Sequence, residues 1–198
     1  MAPKTAIIIY SLYQHIAKLA ESAHSGIKAA GGSSTIYQVP ETLPSDILKR
    51  LNAPEKPDYP IANLDTLKDY DAFLFGIPTR YGNFPSQWRS FWDGTGSLFA
   101  TGALHHKPAG LFVSSGTLGG GQETTAINAL STLAHLGLIY VPLGYSHGKF
   151  NDLNEVRGGS AWGAGTFAAG DGSRQPSELE LEVAKIQGQQ FYEAIKKF

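Results

Sequence analysis

The sequence contains no cysteine, which excludes disulfides, thiolate chemistry and cysteine-ligated metal sites. It also has no excess of one charge: 16 lysines and arginines face 17 aspartates and glutamates, a formal net charge of −1. No Lys/Arg cluster exceeds a pair, and the three tryptophans are not interleaved with basic residues, so no nucleic acid partner is expected. The longest apolar runs are about five or six residues, against the roughly 20 that a membrane helix needs, so no integral membrane segment is expected. Met1-Ala2-Pro3-Lys4 leads directly into one such run, and neither a signal peptide nor a lipidation motif is read. Repeats and low-complexity tracts are absent. These readings predict a soluble, cytoplasmic protein folded as a single domain over residues 1–198. With 23 glycines and 11 prolines the chain is rich in loops, where function usually sits.

The first apolar run, Ala6 to Tyr10, is unbroken and rich in β-branched residues, the habit of a central strand buried on both faces. Ser11, Tyr13, Gln14 and His15 follow, and from Ile16 to Ala30 apolar residues recur at helical spacing until Gly31-Gly32. A buried strand that ends in a short hydroxyl-bearing loop opening a helix aims free N–H groups and a positive dipole end at one point. The loop has no lysine or arginine, so an anion held there would rest on N–H and O–H donors.

Further strands are expected at Thr35–Val39, Ala72–Ile77, Ala109–Val113 and Leu138–Leu143. Short helices are expected at Pro44–Leu51 and Leu64–Tyr70. Longer ones are expected from Ser86 (read as a cap) to Asp93, over Glu123–Leu136, and from a Ser177/Glu180 capping box to the C-terminus. Asn52–Pro60 is read as a surface excursion and Gly144–Ser177 as irregular. The alternation predicts an α/β fold with a mostly parallel five-stranded sheet, whose ligand would sit at the carboxyl ends of the strands. Three strands end in loops of one character: SLYQH, PTRYGN and SSGTLGGG. The first suits a phosphate. The second offers backbone donors, Arg80 and the ring of Tyr81, and the glycines of the third let backbone approach a flat ligand closely. Together they suit a mononucleotide with a large ring system, although glycine-rich loops at strand ends occur in any α/β protein.

Other motif matches are weaker. Gly163 to Ala168 fits the dinucleotide fingerprint but neither follows an expected strand nor opens an amphipathic helix. Gly144 to Gly148 fits GxSxG, yet the only histidine after Ser146 is His147, so a hydrolase triad fails in its usual order. His105 and His106 lack a third ligand at metal spacing, and no metal site is expected. On spacing alone His135 is a dipole-stabilised surface residue, and Trp88, Phe91, Trp92 and Phe99 are core residues.

The blocks SLYQHI, GIPTRYGNFPSQWRSFWD, SSGTLGGGQETT, STLAHLGLIYVPLGY and RGGSAWGAGTFAAGDGSRQPS, in that order along essentially the whole chain, resemble the WrbA-type NAD(P)H:quinone oxidoreductases, their fungal members in particular. The resemblance implies a flavodoxin-like, doubly wound sheet of order 2-1-3-4-5 with helices on both faces, noncovalent FMN and a homotetramer of paired dimers. It further implies FMN-dependent two-electron reduction of a quinone by NADH or NADPH, ping-pong, with hydride passing through flavin N5, and an antioxidant role. Carried over by position, Ser11, Leu12, Tyr13, Gln14, His15 and Ile16 would take the FMN phosphate. Pro78, Thr79, Arg80, Tyr81, Gly82 and Asn83 would contact the ring, with Ser114, Ser115, Gly116, Thr117, Leu118 and Gly119 on its other side. His135 matches a histidine that reaches into the flavin site, Phe99 an aromatic that walls the substrate slot from a neighbouring subunit, and Tyr13 a nicotinamide contact; Tyr145 joins Phe99 and Tyr13 as a substrate candidate. No side chain is needed as a nucleophile, and Arg80 and His135 are the catalytic candidates near the flavin. The chain departs from the pattern at Gln14 and His106, where glycine is common, at Phe99, where tryptophan is usual, and in its SSGTLGGG wording. The alternatives are an FMN-binding electron carrier that docks on a partner reductase, and a scaffold with a vestigial flavin site. Peripheral membrane association, where lipid quinones reside, stays open.

Overall fold

The computed structural model describes residues 2–198. Its centre is a six-stranded parallel sheet whose main path has the order β2-β1-β3-β4-β5. β1 (Lys4–Ile9) lies between β2 (Ser33–Gln38) and β3 (Ala72–Pro78), and β3 pairs β4 (Pro108–Ser115). β5 pairs β4 only through Ile139 and Tyr140. Beyond that point the edge of β4 is taken by β6 (Gly165–Phe167), at Val113, Ser114 and Ser115.

The period of two along the strands explains the layers. Ala6 and Ile8 of β1, with Phe73, Phe75 and Ile77 of β3, face one core, while Ile7 and Ile9, with Ala72 and Leu74, face the other. The first core is covered by α4 (Ser86–Asp93) and α6 (Gln122–His135), the second by α1 (His15–Ala29) and α7 (Glu178–Ile195). Trp88 and Trp92 stack on each other and meet Phe75 edge-on, and Trp88 Nε1–H donates to the Gly76 carbonyl at 3.1 Å. Short helices α2 (Ser45–Arg50), α3 (Leu64–Asp69) and α5 (Gly96–Thr101) complete the connections.

Several expectations are corrected. Gly144–Ser177 is not wholly irregular: it contains a 3₁₀ turn at Gly148–Asn151 and strand β6. The fingerprint-like glycines Gly163 and Gly165 belong to that strand's approach to β4. A Cβ on Gly163 would lie 1.9 Å from the Leu111 carbonyl oxygen, and one on Gly165 2.8 Å from that of Val113. Ser86 is the first residue of α4 rather than its cap; Pro85 holds the cap position and no side chain bonds there. α5 was not expected at all, and it carries Phe99, which is 61 % exposed and not a core residue. The Ser177/Glu180 capping box is present with both bonds.

Candidate functional site

In sheet order, the crossover direction reverses between β1 and β3, and ligands of such sheets sit beyond the carboxyl ends there. A cavity of about 590 Å³ lies at that place, within the range of small-molecule and cofactor sites. Register brings its walls together: Pro78 is level with Ser114, and Ser115 with Phe167. Thr79 N–H donates to the Ser114 carbonyl at 2.8 Å, and Ala168 N–H to that of Ser115 at 2.9 Å.

The floor is the turn from β1 into α1. Gln14 caps α1 in the left-handed conformation, at φ 68°, without a side-chain bond. The first amides of a helix have no intrahelical acceptor, and only that of Ala17 is met locally, by Ser11 Oγ at 3.3 Å. The N–H groups of His15 and Ile16 therefore remain for an anion. Tyr13 donates its hydroxyl to the Leu51 carbonyl, which puts Leu51 and Asn52 over the cavity. Arg80 is the only lysine or arginine among the described residues lining it.

Behind the floor, Tyr10 donates to Glu41 at 3.1 Å, and Glu41 also accepts from Lys56 Nζ at 2.6 Å and Gln87 Nε2 at 3.2 Å. Burial acts to raise Glu41, but Lys56 and the amides of Leu43 and Thr42 outweigh it and hold the carboxyl below its usual range. Burial and the adjacent carboxylate push the Tyr10 phenol well up, so it stays neutral and donates.

Of the residues carried over by resemblance, Ser11, Leu12, Tyr13, His15, Ile16, Pro78, Thr79, Arg80, Ser114, Ser115 and Gly116 line this cavity together. Gln14 turns away, its Nε2 3.4 Å from the Glu55 carbonyl. Tyr81, Gly82 and Asn83 form the turn beyond Arg80, and Tyr81 is fully exposed. Thr117, Leu118 and Gly119 line a second cavity of about 310 Å³, with Arg157 and Gly158 across from them. His135 does not reach the site within one chain. It is the last residue of α6, whose first turn is at the site, so about 20 Å separates them, and its Nδ1 is 2.7 Å from the Ser131 carbonyl. Phe99 and Tyr145 are exposed and line neither cavity. Among the described residues no group of three or more His, Asp or Glu is placed to hold a metal.

Sequence reasoning missed two walls, Leu51–Asn52 and Ala168–Gly172. The second had a legible signal, the Gly170-Asp171-Gly172 turn directly after the β6 residues. The first had none beyond its prolines.

The donor set fits a phosphorylated planar cofactor: unmet amides and hydroxyls at one end, backbone of the Ser114–Gly116 stretch and Arg80 at the other. Residues 8–152 match the family described as NADPH-dependent FMN reductase. An NAD(P)H quinone oxidoreductase of Candida albicans is 63 % identical over 199 residues, covering 100 % of both chains. The Saccharomyces cerevisiae protein named protoplast secreted protein 2 is 62 % identical, covering 99 % of this chain and 100 % of its own. A WrbA-like flavodoxin from Agrobacterium tumefaciens superposes with a TM-score of 0.67 over 98 % of each chain at 20 % identity, which shows the shared flavodoxin-like fold. An archaeal flavodoxin does so at 0.61, covering 97 % of this chain and 99 % of its own, at 18 % identity. The chain belongs to the NADPH-dependent FMN reductase family, with a flavodoxin-like fold and with fungal NAD(P)H quinone oxidoreductases among its relatives.

Proposed function

We propose that this single-domain protein is an FMN-dependent NAD(P)H:quinone oxidoreductase. The observation that carries the reading is the convergence of three strand-end loops on one cavity whose floor is an uncapped helix N-terminus. The names of the fungal relatives support it. When bound, FMN supplies two-electron redox chemistry that no side chain here provides. Ser11, the His15 and Ile16 amides and the turn around them would hold its phosphate. Pro78–Arg80 and Ser114–Gly116 would hold its ring, with Arg80 placed to stabilise negative charge developing at that end. With the ring's back on the protein, reductant and quinone would share one open face, so turnover would be ping-pong, and two-electron delivery would release no radical, in keeping with an antioxidant role.

Phe99 and His135 serve such a slot only if another copy of the chain supplies them, which supports a homotetramer built as a dimer of dimers. Among the described residues no helix is long and apolar enough to cross a membrane. We place the protein in the cytoplasm, with quinones reached in solution or by peripheral contact with a membrane.

The test is to load the protein with FMN, titrate it anaerobically with NADH and then with NADPH, and add a quinone. Bleaching of the flavin bands by nicotinamide alone, and their return on quinone addition, is expected. Bleaching only in the presence of a partner reductase would make the protein an electron carrier, a role its near-zero charge opposes. Intersecting steady-state lines would exclude the shared face.

A further inference from the structure

Arg174 and Glu180 form an ion pair at 2.9 Å whose carboxylate is fully buried. Glu180 fills its place in the capping box of α7 by accepting from Ser177 N–H at 2.9 Å, but its fully buried carboxylate does more. Oε1 accepts from Gly158 N–H at 2.8 Å, and Oε2 from the Thr166 hydroxyl at 2.6 Å and Arg174 Nη1 at 2.9 Å. A buried ion pair is weak support for stability, because apolar residues of similar volume often serve as well. What this pair holds is therefore the informative point.

Arg174 closes the loop that walls the cavity. Its N–H donates to the Ala168 carbonyl at 3.0 Å, and its guanidinium donates to the Phe167 carbonyl at 2.9 Å while lying over the Phe167 ring. Between those bonds the chain makes a turn with Ala169 and Gly172 at positive φ, and Ala168–Gly172 face the cavity. The Arg174 carbonyl, in turn, meets His15 Nε2 at 2.7 Å. A carbonyl only accepts, so the His15 ring carries a proton on Nε2. Nδ1, which has no hydrogen-bond partner among the described residues, is left on a buried residue that lines the phosphate end of the cavity.

We propose that Arg174 and Glu180 are positioning residues for that end. The Glu180 carboxylate fixes the Arg174 side chain, the Arg174 backbone closes the Ala168–Gly172 wall and fixes the His15 ring, and that ring is set for a phosphate monoester. The proposal rests on reading the cavity as a flavin mononucleotide site, and it assigns the pair to the phosphate rather than to the flavin ring.

The test compares FMN with riboflavin, which lacks the phosphate, by quenching of flavin fluorescence on the full chain. Glu180→Gln keeps the volume and removes the charge; Arg174→Met keeps a stem over Phe167 and removes the donors. In each variant FMN affinity is expected to fall on the order of tenfold while riboflavin affinity stays within about twofold, the loss of a charged hydrogen bond confined to one end. Arg174→Lys, which keeps the charge without the fork, is expected to recover part of the FMN affinity. Equal loss for both ligands, unchanged FMN affinity, or failure of both variants to fold would each assign the pair to stability and overturn the proposal. A wild-type chain that binds neither flavin would overturn the cofactor reading and this proposal together, and would be seen before any variant is made.

Discussion

Thr79 Oγ1 and Thr125 Oγ1 stand 2.6 Å apart, joining the loop after β3 to the first turn of α6. The same Thr79 oxygen accepts from Gly82 N–H at 3.1 Å, and Asn128 Nδ2 donates to the Gly82 carbonyl at 2.7 Å. The Arg80 turn is thus held by the helix beside it. Thr125→Val keeps the shape of a residue that is 1 % exposed and removes its hydroxyl. The expected loss is about 1–2 kcal/mol of stability, with weaker FMN binding because the turn carrying Arg80 is freed. Urea unfolding and flavin titration of the variant measure the two effects, and a variant equal to wild type in both removes Thr125 from this role.

The crossing of α1 and α7 depends on glycine. A Cβ on Gly26 would lie 1.9 Å from the Lys185 carbonyl oxygen, and one on Gly188 2.0 Å from that of Ala23. Each obstacle is backbone, which cannot swing aside. Gly188→Ala, although better for helix propensity, is expected to destabilise by about 3 kcal/mol, at the upper end of overpacking costs. A melting temperature at or above that of wild type would mean that the two helices are free to separate.

Gln14 holds φ 68° at the α1 cap, a conformation that favours glycine, and its Oε1 is buried without a partner. The one bond its side chain makes, to Glu55, is long at 3.4 Å. Gln14→Gly is expected to raise stability by about 1 kcal/mol, strain relief outweighing the added chain entropy. It should leave the His15 and Ile16 amides in place, so FMN affinity should not fall. Calorimetry of the apo chain and flavin titration test both halves; a destabilised variant would show that the Glu55 contact matters more than the backbone strain.

The central strands were legible because β1, β3 and β4 are buried on both faces and so are written as apolar runs, Ala6–Tyr10, Ala72–Ile77 and Ala109–Val113, whereas their order came from the resemblance and not from the runs. β6 escaped because three residues carry no period, and because the glycines that let it approach β4 imitate a nucleotide fingerprint. The site was legible where one loop follows one strand, as at Ser11–Ile16. It was illegible where distant backbone closes the cavity: Asn52 is brought there beside the Tyr13 to Leu51 bond, which no local pattern announces, and the Gly170-Asp171-Gly172 turn is written in the sequence but its tie to His15 through Arg174 is not. Phe99 and His135 show the opposite case. Resemblance places His135 in the flavin site and Phe99 at the substrate slot of a neighbouring subunit; within one chain both lie on the surface, Phe99 on α5 and His135 at the end of α6, which runs away from the site.

Glu41 makes the base of the site sensitive to acid. Its carboxylate draws together Tyr10 at the end of β1, Lys56 in the excursion over the cavity, and Gln87 in α4. Folding lowers its pKa from the ordinary 4.5, so the ionised form is favoured in the native state. The sign follows: the stabilisation is complete above pH 4.5 and is lost as pH falls from there through the folded value. Glu41→Gln is expected to cost about 1–2 kcal/mol at pH 7 and to flatten the acid limb of the stability curve, so that wild type and variant converge on acidification. Lys56→Met should reproduce part of the loss and loosen the excursion, weakening FMN binding through Leu51 and Asn52. Urea unfolding of both variants from pH 7 down to pH 3 measures it. Parallel stability curves over that range would show that Glu41 is no more favourably ionised in the folded chain than in the unfolded one.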